Sequence, residues 1–384
     1  MKKVLVIATL ILAVFALNAC GGAYEATPVI ADDSSASAAQ ATPAPNPTTS
    51  PDAAVTEAPQ ERPRDFVTIT DFNGNVVQVR QNPSVVAVYD WGVLDMMYTV
   101  GFDKFGIETL IIPNPAGIPS VLSGVNNLPD VQIVNGGTLF YVNWDVLDLV
   151  PPELIILGAR SFGMNAQEER LSAEDNAAFR AATEERYADT AFIRLTINAQ
   201  SSDLVNDMRN NAYALSQIWP HVADYLLVEF YEIEAGMAAV NAAASASGLT
   251  TAFLMMTTPT NLSLFLDGSR MGMVFDEFGF TPATTTEDIG LFSDQHGFES
   301  RAEFILALNP DIILLLDRNE MADNVPQSAG FDALMSDPII ARTAAFENNR
   351  IYALYPQEWY TVVGGFGSAR QMISCMMRVV GDFD

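Results

Sequence analysis

The sequence predicts an α/β protein built as two similar lobes with mostly parallel sheets, joined by one long helix, with a ligand cleft between the lobes. Three observations carry that expectation. First, Asp145 to Arg160 aligns without gaps onto Glu303 to Arg318, pairing Pro152 with Pro310, Ile155 with Ile313, Leu157 with Leu315 and Arg160 with Arg318. In each copy a helical pattern stops at the proline and an all-apolar run follows, the signature of a strand buried on both faces of a parallel sheet. Second, short apolar runs alternate with helical patterns along most of the chain, as βαβ units require. Third, the stretch from Val222 to about Ala246 is long, Ala-rich and free of turn formers until Ser247-Gly248, which predicts one helix long enough to link two lobes.

In chain order, Met1 to Lys3 is a short basic start and Val4 to Leu17 an apolar run too short to cross roughly 30 Å of hydrocarbon, so residues 1–19 are expected to be a secretory signal. Residues 20–63 are Ala, Pro, Ser and Thr with scattered acids, a composition that cannot offset its own conformational entropy and so predicts a flexible tether. The N-terminal lobe is expected over 64–200. It opens with Phe66–Thr70 and Val76–Val79 around Asn73-Gly74, a hairpin pattern, followed by strand-like Val85 to Tyr89 and a helical run from Trp91 to Val100. Gly92 to Phe102 echoes Gly272 to Phe280. The helical connection is expected over 201–247, with Pro220 suited to a first helical turn, and the C-terminal lobe over 248–384. A Glu-, Ala- and Arg-rich insertion between about Phe162 and Tyr187 has no counterpart in the second lobe.

The charge balance removes whole classes of function. Lys+Arg 19 against Asp+Glu 47 gives a formal net charge of -28, and such a surface repels phosphate, so nucleic acid is excluded as a partner. Lys2, Lys3 and Lys104 are the only lysines; positive charge in the folded part must therefore come from arginine. The repeat puts Arg160 and Arg318 just past strand ends, where open parallel sheets bind ligands. With two histidines, a resident zinc or manganese site is a poor reading. No phosphate-cradling glycine loop, nucleophile elbow or Cys/His nucleophile arrangement occurs, and no enzymatic activity is expected.

Leu17-Asn18-Ala19-Cys20-Gly21 resembles the lipobox of bacterial lipoproteins, which implies that Cys20 carries the lipids. A lipidated Cys20 cannot pair, so no disulfide is expected; Cys375, in an apolar C-terminal helix pattern, is read as buried and inert. Lipobox, tether, lobes and linking helix together resemble the substrate-binding lipoproteins of ATP-driven importers. The local motifs resemble the catecholate-type ferric-siderophore binders among them: Leu157 to Arg160, Gly268-Ser269-Arg270-Met271-Gly272-Met273, Gln295-His296-Gly297, Asp317-Arg318 and Glu358-Trp359-Tyr360.

The resemblance implies a basic triad of Arg160, Arg270 and Arg318 and places His296 and Tyr360 as ligands to the iron of a bound ferric siderophore. The chemistry is coherent. A ferric tris-catecholate is strongly anionic, and converging guanidiniums would offset that charge and donate to its oxygens. A four-oxygen chelate leaves two sites open for imidazole and phenolate. No permanent cofactor is implied, the Fe(III)-siderophore being cargo. The implied partners are a permease, reached through acids for which Asp145 and Asp276 are candidates, its ATPase, and the membrane through the lipid anchor. A monomer is expected, outside the cell membrane, in the periplasm if the host has an outer membrane. Each residue also has a plain structural alternative: an arginine paired to a nearby acid or solvated in a loop, a surface His296, a core Tyr360. His221, beside Pro220, is read as structural or exposed. The competing functions are a binder of haem or a corrinoid and a surface sensor or adhesin that keeps the fold without import.

Overall fold

The structure, a computed structural model, describes residues 65–197, 203–258, 261–289, 297–321 and 329–381; residues 1–19 and the tether, with Cys20, lie outside them. The chain begins with the expected hairpin, β1 (Phe66–Thr70) against β2 (Val76–Arg80) in antiparallel register from Phe66 opposite Arg80 to Thr70 opposite Val76. The Asp71 carboxylate closes its turn by accepting from the amides of Asn73 and Asn75, both at 2.9 Å.

The first sheet then forms from β3 (Val85–Tyr89), β4 (Thr109–Ile112), β5 (Gln132–Asn135), β6 (Leu154–Leu157) and β7 (Ala191–Arg194), with α1 (Trp91–Val100), α2 (Trp144–Leu149) and α3 (Ala173–Arg186) in the connections. Its order is β5-β4-β3-β6-β7 and every pairing is parallel. Helices α4 (Leu204–Ile218) and α5 (Ala223–Ser247) make the connection. Pro220 sits at the start of the 3-10 turn that leads into α5, and Gly248, at φ 65, ends the helix in the left-handed conformation that glycine adopts without a steric cost.

The second sheet contains β8 (Thr250–Thr258), β9 (Asn261–Phe265), β10 (Thr281–Pro282), β11 (Phe298–Ser300), β12 (Ile312–Asp317) and β13 (Ile351–Leu354), with α6 (Met273–Asp276), α7 (Thr286–Ile289), α8 (Ala302–Leu308), α9 (Ala329–Met335), α10 (Ala344–Glu347) and the closing α11 (Phe366–Gly381). The order is β11-β9-β8-β12-β13, with β10 beside β8. β12 is parallel to both β8 and β13, while β9 runs antiparallel to β8 and β11.

The repeat is realised as α2-β6 and α8-β12, and both strands are buried along their whole length. The echo at Gly272 is weaker than its pattern suggests. Where α1 runs ten residues, α6 runs four, because the amides of Glu277 and Phe278 both bond to the Met273 carbonyl and Phe280 reaches back to Val274, unwinding the helix.

Leu226, Phe230, Ile233, Met237, Val240 and Ala244 recur every three or four residues of α5 and are buried. They enter one continuous core with Val86 and Val88 of the first sheet, Phe253 and Leu314 of the second, and Met372 and Met376 of α11. The opposite face of each sheet is buried against its own lobe's residues. Helix α11 returns to pack on α5 and α1. Its start is held by the buried Asp95, which accepts from the Ser368 amide at 2.9 Å. A Cβ on Gly365 would come within 2.2 Å of that carboxylate, so the close approach requires glycine there.

Candidate functional site

Arg160 is delivered by the turn after β6. A Cβ on Gly158 would lie 2.7 Å from the Tyr89 carbonyl oxygen and 2.8 Å from the Asp90 carboxylate, so β6 can pass the end of β3 only through glycine. The Gly158 amide donates to Ser161 Oγ at 3.0 Å and the Gly163 amide to the Arg160 carbonyl at 3.1 Å. Asp90 accepts from the Val93 amide at 3.0 Å, capping α1, and from Thr196 Oγ1 at 2.9 Å. Burial holds its carboxyl above the ordinary range, opposed by those two bonds and by the charge of Arg160. Sequence reasoning missed Asp90, although an acid between a strand and a helix is a recognisable capping signal.

The second lobe supplies the rest. Arg318 directly follows β12 and is exposed, while the preceding Asp317 is buried and accepts from the Asn319 amide at 2.9 Å and the Gly330 amide at 2.8 Å. Arg270 lies in the turn between β9 and α6, where Ser269 Oγ donates to the Leu266 carbonyl at 2.5 Å and the Gly272 amide to the Ser269 carbonyl at 2.9 Å. Tyr360 stands in a single π-helical turn, Gln357–Thr361, an irregularity frequent at functional sites.

Arg270, Arg318 and Tyr360 converge. Arg270 Nη2 donates to the Tyr360 carbonyl at 2.8 Å, and its Cζ lies 3.9 Å from the Tyr360 ring centroid; the Cζ of Arg318 lies 5.2 Å from the same centroid. Arg270 is pushed down to about 10, first by burial and then by the charges of Arg160 and Arg318, with Tyr360 opposing. It stays protonated at neutral pH. Its Nε is buried with no hydrogen-bond partner. Among the described residues none of the three arginines forms an ion pair, whereas Arg180, Arg186, Arg209 and Arg370 each hold a carboxylate. The Tyr360 hydroxyl makes no hydrogen bond among the described residues, and the residue is 9% exposed. Like charges gathered in a partly dry site repel one another. The arrangement is therefore complementary to an anion with several acceptor oxygens.

The same π-helical turn joins the lobes, since Gln357 Oε1 accepts from Ser120 Oγ at 2.7 Å and from the Val121 amide at 3.3 Å. Within it Glu358 is raised by burial first and by Asp95 second, and Asp95 itself is raised to about 6 by burial. Trp359 is a core residue, 2% exposed against Phe253 and Phe278.

His296 lies outside the described residues. Asp145 and Asp276 are both exposed, on α2 and α6. His221 is structural, as expected: its Nε2 bonds the Lys104 carbonyl at 2.7 Å. Cys375 faces the core at 3% exposure, as its pattern predicts, but is disulfide-bonded. The expectation of no disulfide, which rested on a lipidated Cys20, is not met at Cys375. Residues 162–187, which the sequence did not place, contribute α3, whose Asn176 and Phe179 hold Phe162 two residues past Arg160. Among the described residues no group of three or more His, Cys, Asp or Glu could hold a metal, and no helix is long and apolar enough to cross a membrane.

Two lobes on one shared core, with arginines from both that form no ion pair among the described residues, define a ligand-binding protein of the two-lobed type. The chain belongs to the periplasmic binding protein family, whose model matches residues 86–358, a span that holds Arg160, Arg270, His296 and Arg318 and ends two residues before Tyr360. It is a binding protein and not an enzyme. It is 25% identical over 309 residues, 79% of this chain and 84% of the relative, to the petrobactin-binding protein YclQ of Bacillus subtilis. To the ferric-anguibactin-binding protein FatB of Vibrio anguillarum it is 21% identical over 318 residues, 83% of this chain and 88% of that one. The solved periplasmic catecholate-siderophore binding protein VctP of Vibrio cholerae superposes with a TM-score of 0.65 at 20% identity, covering 82% of this chain and 100% of the other, and shares the fold.

Proposed function

We propose that this protein captures a ferric siderophore of the catecholate type outside the cell membrane and delivers it to the permease of an ATP-driven importer. One observation carries the reading. In a chain with 47 acids, Arg270 and Arg318 gather around Tyr360 and Arg160 of the other lobe acts on Arg270 through its charge, none of the three in an ion pair among the described residues, and a trianionic chelate would supply the missing charge. Relatives named for petrobactin and ferric-anguibactin support the ligand class.

Arg270, Arg160 and Arg318 would donate to catecholate oxygens. Tyr360 and His296 would complete the iron's coordination when the chelate offers four oxygens. Asp145 and Asp276 are the proposed contacts with the permease. Lipid on Cys20 would tether the protein at the outer face of the membrane, and it excludes that sulfur from any disulfide; intact mass of the purified membrane form separates the two states.

The test is tryptophan fluorescence quenching with a panel of ferric chelates, haem and cobalamin. Tight binding of catecholates with weak or absent binding of hydroxamates, haem and cobalamin is the expected result. Indifference to every iron chelate would end the proposal.

A further inference from the structure

The turn that aims Arg160 contains a residue in an uncommon conformation. Phe162 is fully buried with φ 64, the left-handed region, which costs an L-residue about 1–2 kcal/mol and is rare for a bulky side chain. Two residues of α3 hold it there. Asn176 Nδ2 donates to the Phe162 carbonyl at 2.7 Å, and the Phe179 ring meets the Phe162 ring edge-on, centroids 5.5 Å apart at 88°.

Helix α3 is itself fixed in place. Ser172 caps it, its Oγ accepting from the Asp175 amide at 3.1 Å and donating to the Asp175 carboxylate at 2.7 Å. Thr183, fully buried, donates to the Phe179 carbonyl at 2.8 Å and accepts from Trp144 Nε1 at 2.9 Å. Asn176, Phe179 and Thr183, spaced by three and four, share one helix face, and that face is the one docked on the lobe. The peptide after Phe162 carries the Gly163 amide that bonds the Arg160 carbonyl.

We infer that Asn176 and Phe179 are positioning residues for Arg160: they hold Phe162 left-handed, and so keep closed the turn from which the Arg160 side chain emerges. The inference rests on the proposed role of that arginine cluster. If the clamp is removed, Phe162 relaxes toward negative φ, the Gly163 amide swings away, and Arg160 loses its fixed direction.

Asn176→Leu removes the donor at similar size, and Phe179→Leu keeps apolar bulk without the edge-on ring. Two readouts are taken on the wild type, on both variants, on Arg160→Gln and on the Asn176→Leu/Arg160→Gln double variant. The first is the dissociation constant for a synthetic hexadentate ferric tris-catecholate, with thermal unfolding as control. Asn176→Leu should weaken binding about tenfold, and the double variant should bind no more weakly than Arg160→Gln alone. Multiplying losses, or wild-type affinity in Asn176→Leu, would overturn the inference. The second readout needs no ligand: the order parameter of Arg160 Nε–H by NMR should fall in both α3 variants. An unchanged order parameter refutes the positioning role even if the wild type binds nothing. A fallen one in a protein that binds no ferric chelate supports it while refuting the proposed ligand.

Discussion

The two arginine-bearing turns derive from one sequence pattern but are fastened differently. After β12, the Asp317 side chain reaches the amides of Asn319 and Gly330, so the acid next to Arg318 organises its own loop. After β6 the matching position is Ala159, whose side chain has nothing to donate or accept. There the turn depends on Ser161 and on α3, through Asn176 and Phe179. Arg160 is half-buried near Asp90 while Arg318 is exposed. A repeat thus conserves the place where a charge emerges from a sheet, while local side chains decide how rigidly and in what dielectric it is held.

The first way to break this comparison is to neutralise each arginine. Arg270→Gln should cost most, about 100-fold in affinity for a ferric tris-catecholate, because its Nε is buried without a partner among the described residues and a charged hydrogen bond there is worth roughly 1.5–3 kcal/mol. Arg160→Gln should cost about tenfold and Arg318→Gln only about threefold, since exposure screens the last. Titration of the three variants checks the order; equal losses would mean that burial does not grade the site.

Asp317→Ala comes next. It leaves the Gly330 and Asn319 amides without their acceptor and should lower stability by about 2 kcal/mol together with a severalfold loss of affinity, measured by urea unfolding and titration. The corresponding side chain in the first lobe is already Ala159, so Ala159→Asp is not expected to gain stability.

Tyr360→Phe sharpens the proposed ligation. It keeps the ring beneath Arg270 and Arg318 and deletes the phenol oxygen. Affinity for a hexadentate chelate should change less than about threefold, whereas the charge-transfer spectrum of a bound tetradentate catecholate should shift. An unchanged spectrum in Tyr360→Phe would show that this oxygen does not touch iron.

The smallest effect concerns Glu277, which accepts from the amides of Leu204 and Val205 and so fixes the start of α4 to the second lobe. Burial first, then Asp203 and Asp207, raise it to about 7, against the bonds from those two amides. Its folded value lies above the ordinary 4.5, so the folded state holds the proton longer, and stability must fall as pH rises from about 4.5 to about 7. Glu277→Gln should flatten that decline, moving the melting temperature by about 3 °C at pH 8 relative to pH 5. An identical pH profile in the variant would contradict it.

Much of this architecture was legible because it is written locally. Pro152 and Pro310, the apolar runs behind them and the arginines at their ends mark the strands without reference to the rest of the chain. Ser247-Gly248 marks the end of α5 in the same way. Arg270 was not legible from the repeat: it follows β9, an antiparallel strand with no partner in the first lobe, and only the family resemblance singled it out. Contacts over long separations were illegible in principle. Asp95 meets Ser368 across 273 positions and Gln357 meets Ser120 across 237, and no periodicity reports them. Asn176 and Phe162 are only 14 apart, yet nothing in a helical pattern announces that its side chain will hold a strained turn.

The chain's acidity is a property of its outer surface, and the cluster at Tyr360 is the local exception that the account depends on. The most direct measurement is the salt dependence of binding of an anionic ferric tris-catecholate by the wild type and by the Arg160→Gln/Arg270→Gln/Arg318→Gln variant. Tight wild-type binding that weakens with ionic strength, and a loss of a thousandfold or so in a variant that still unfolds cooperatively, is the predicted result. Equal affinity in the two proteins would contradict the claim that these three charges hold the ligand.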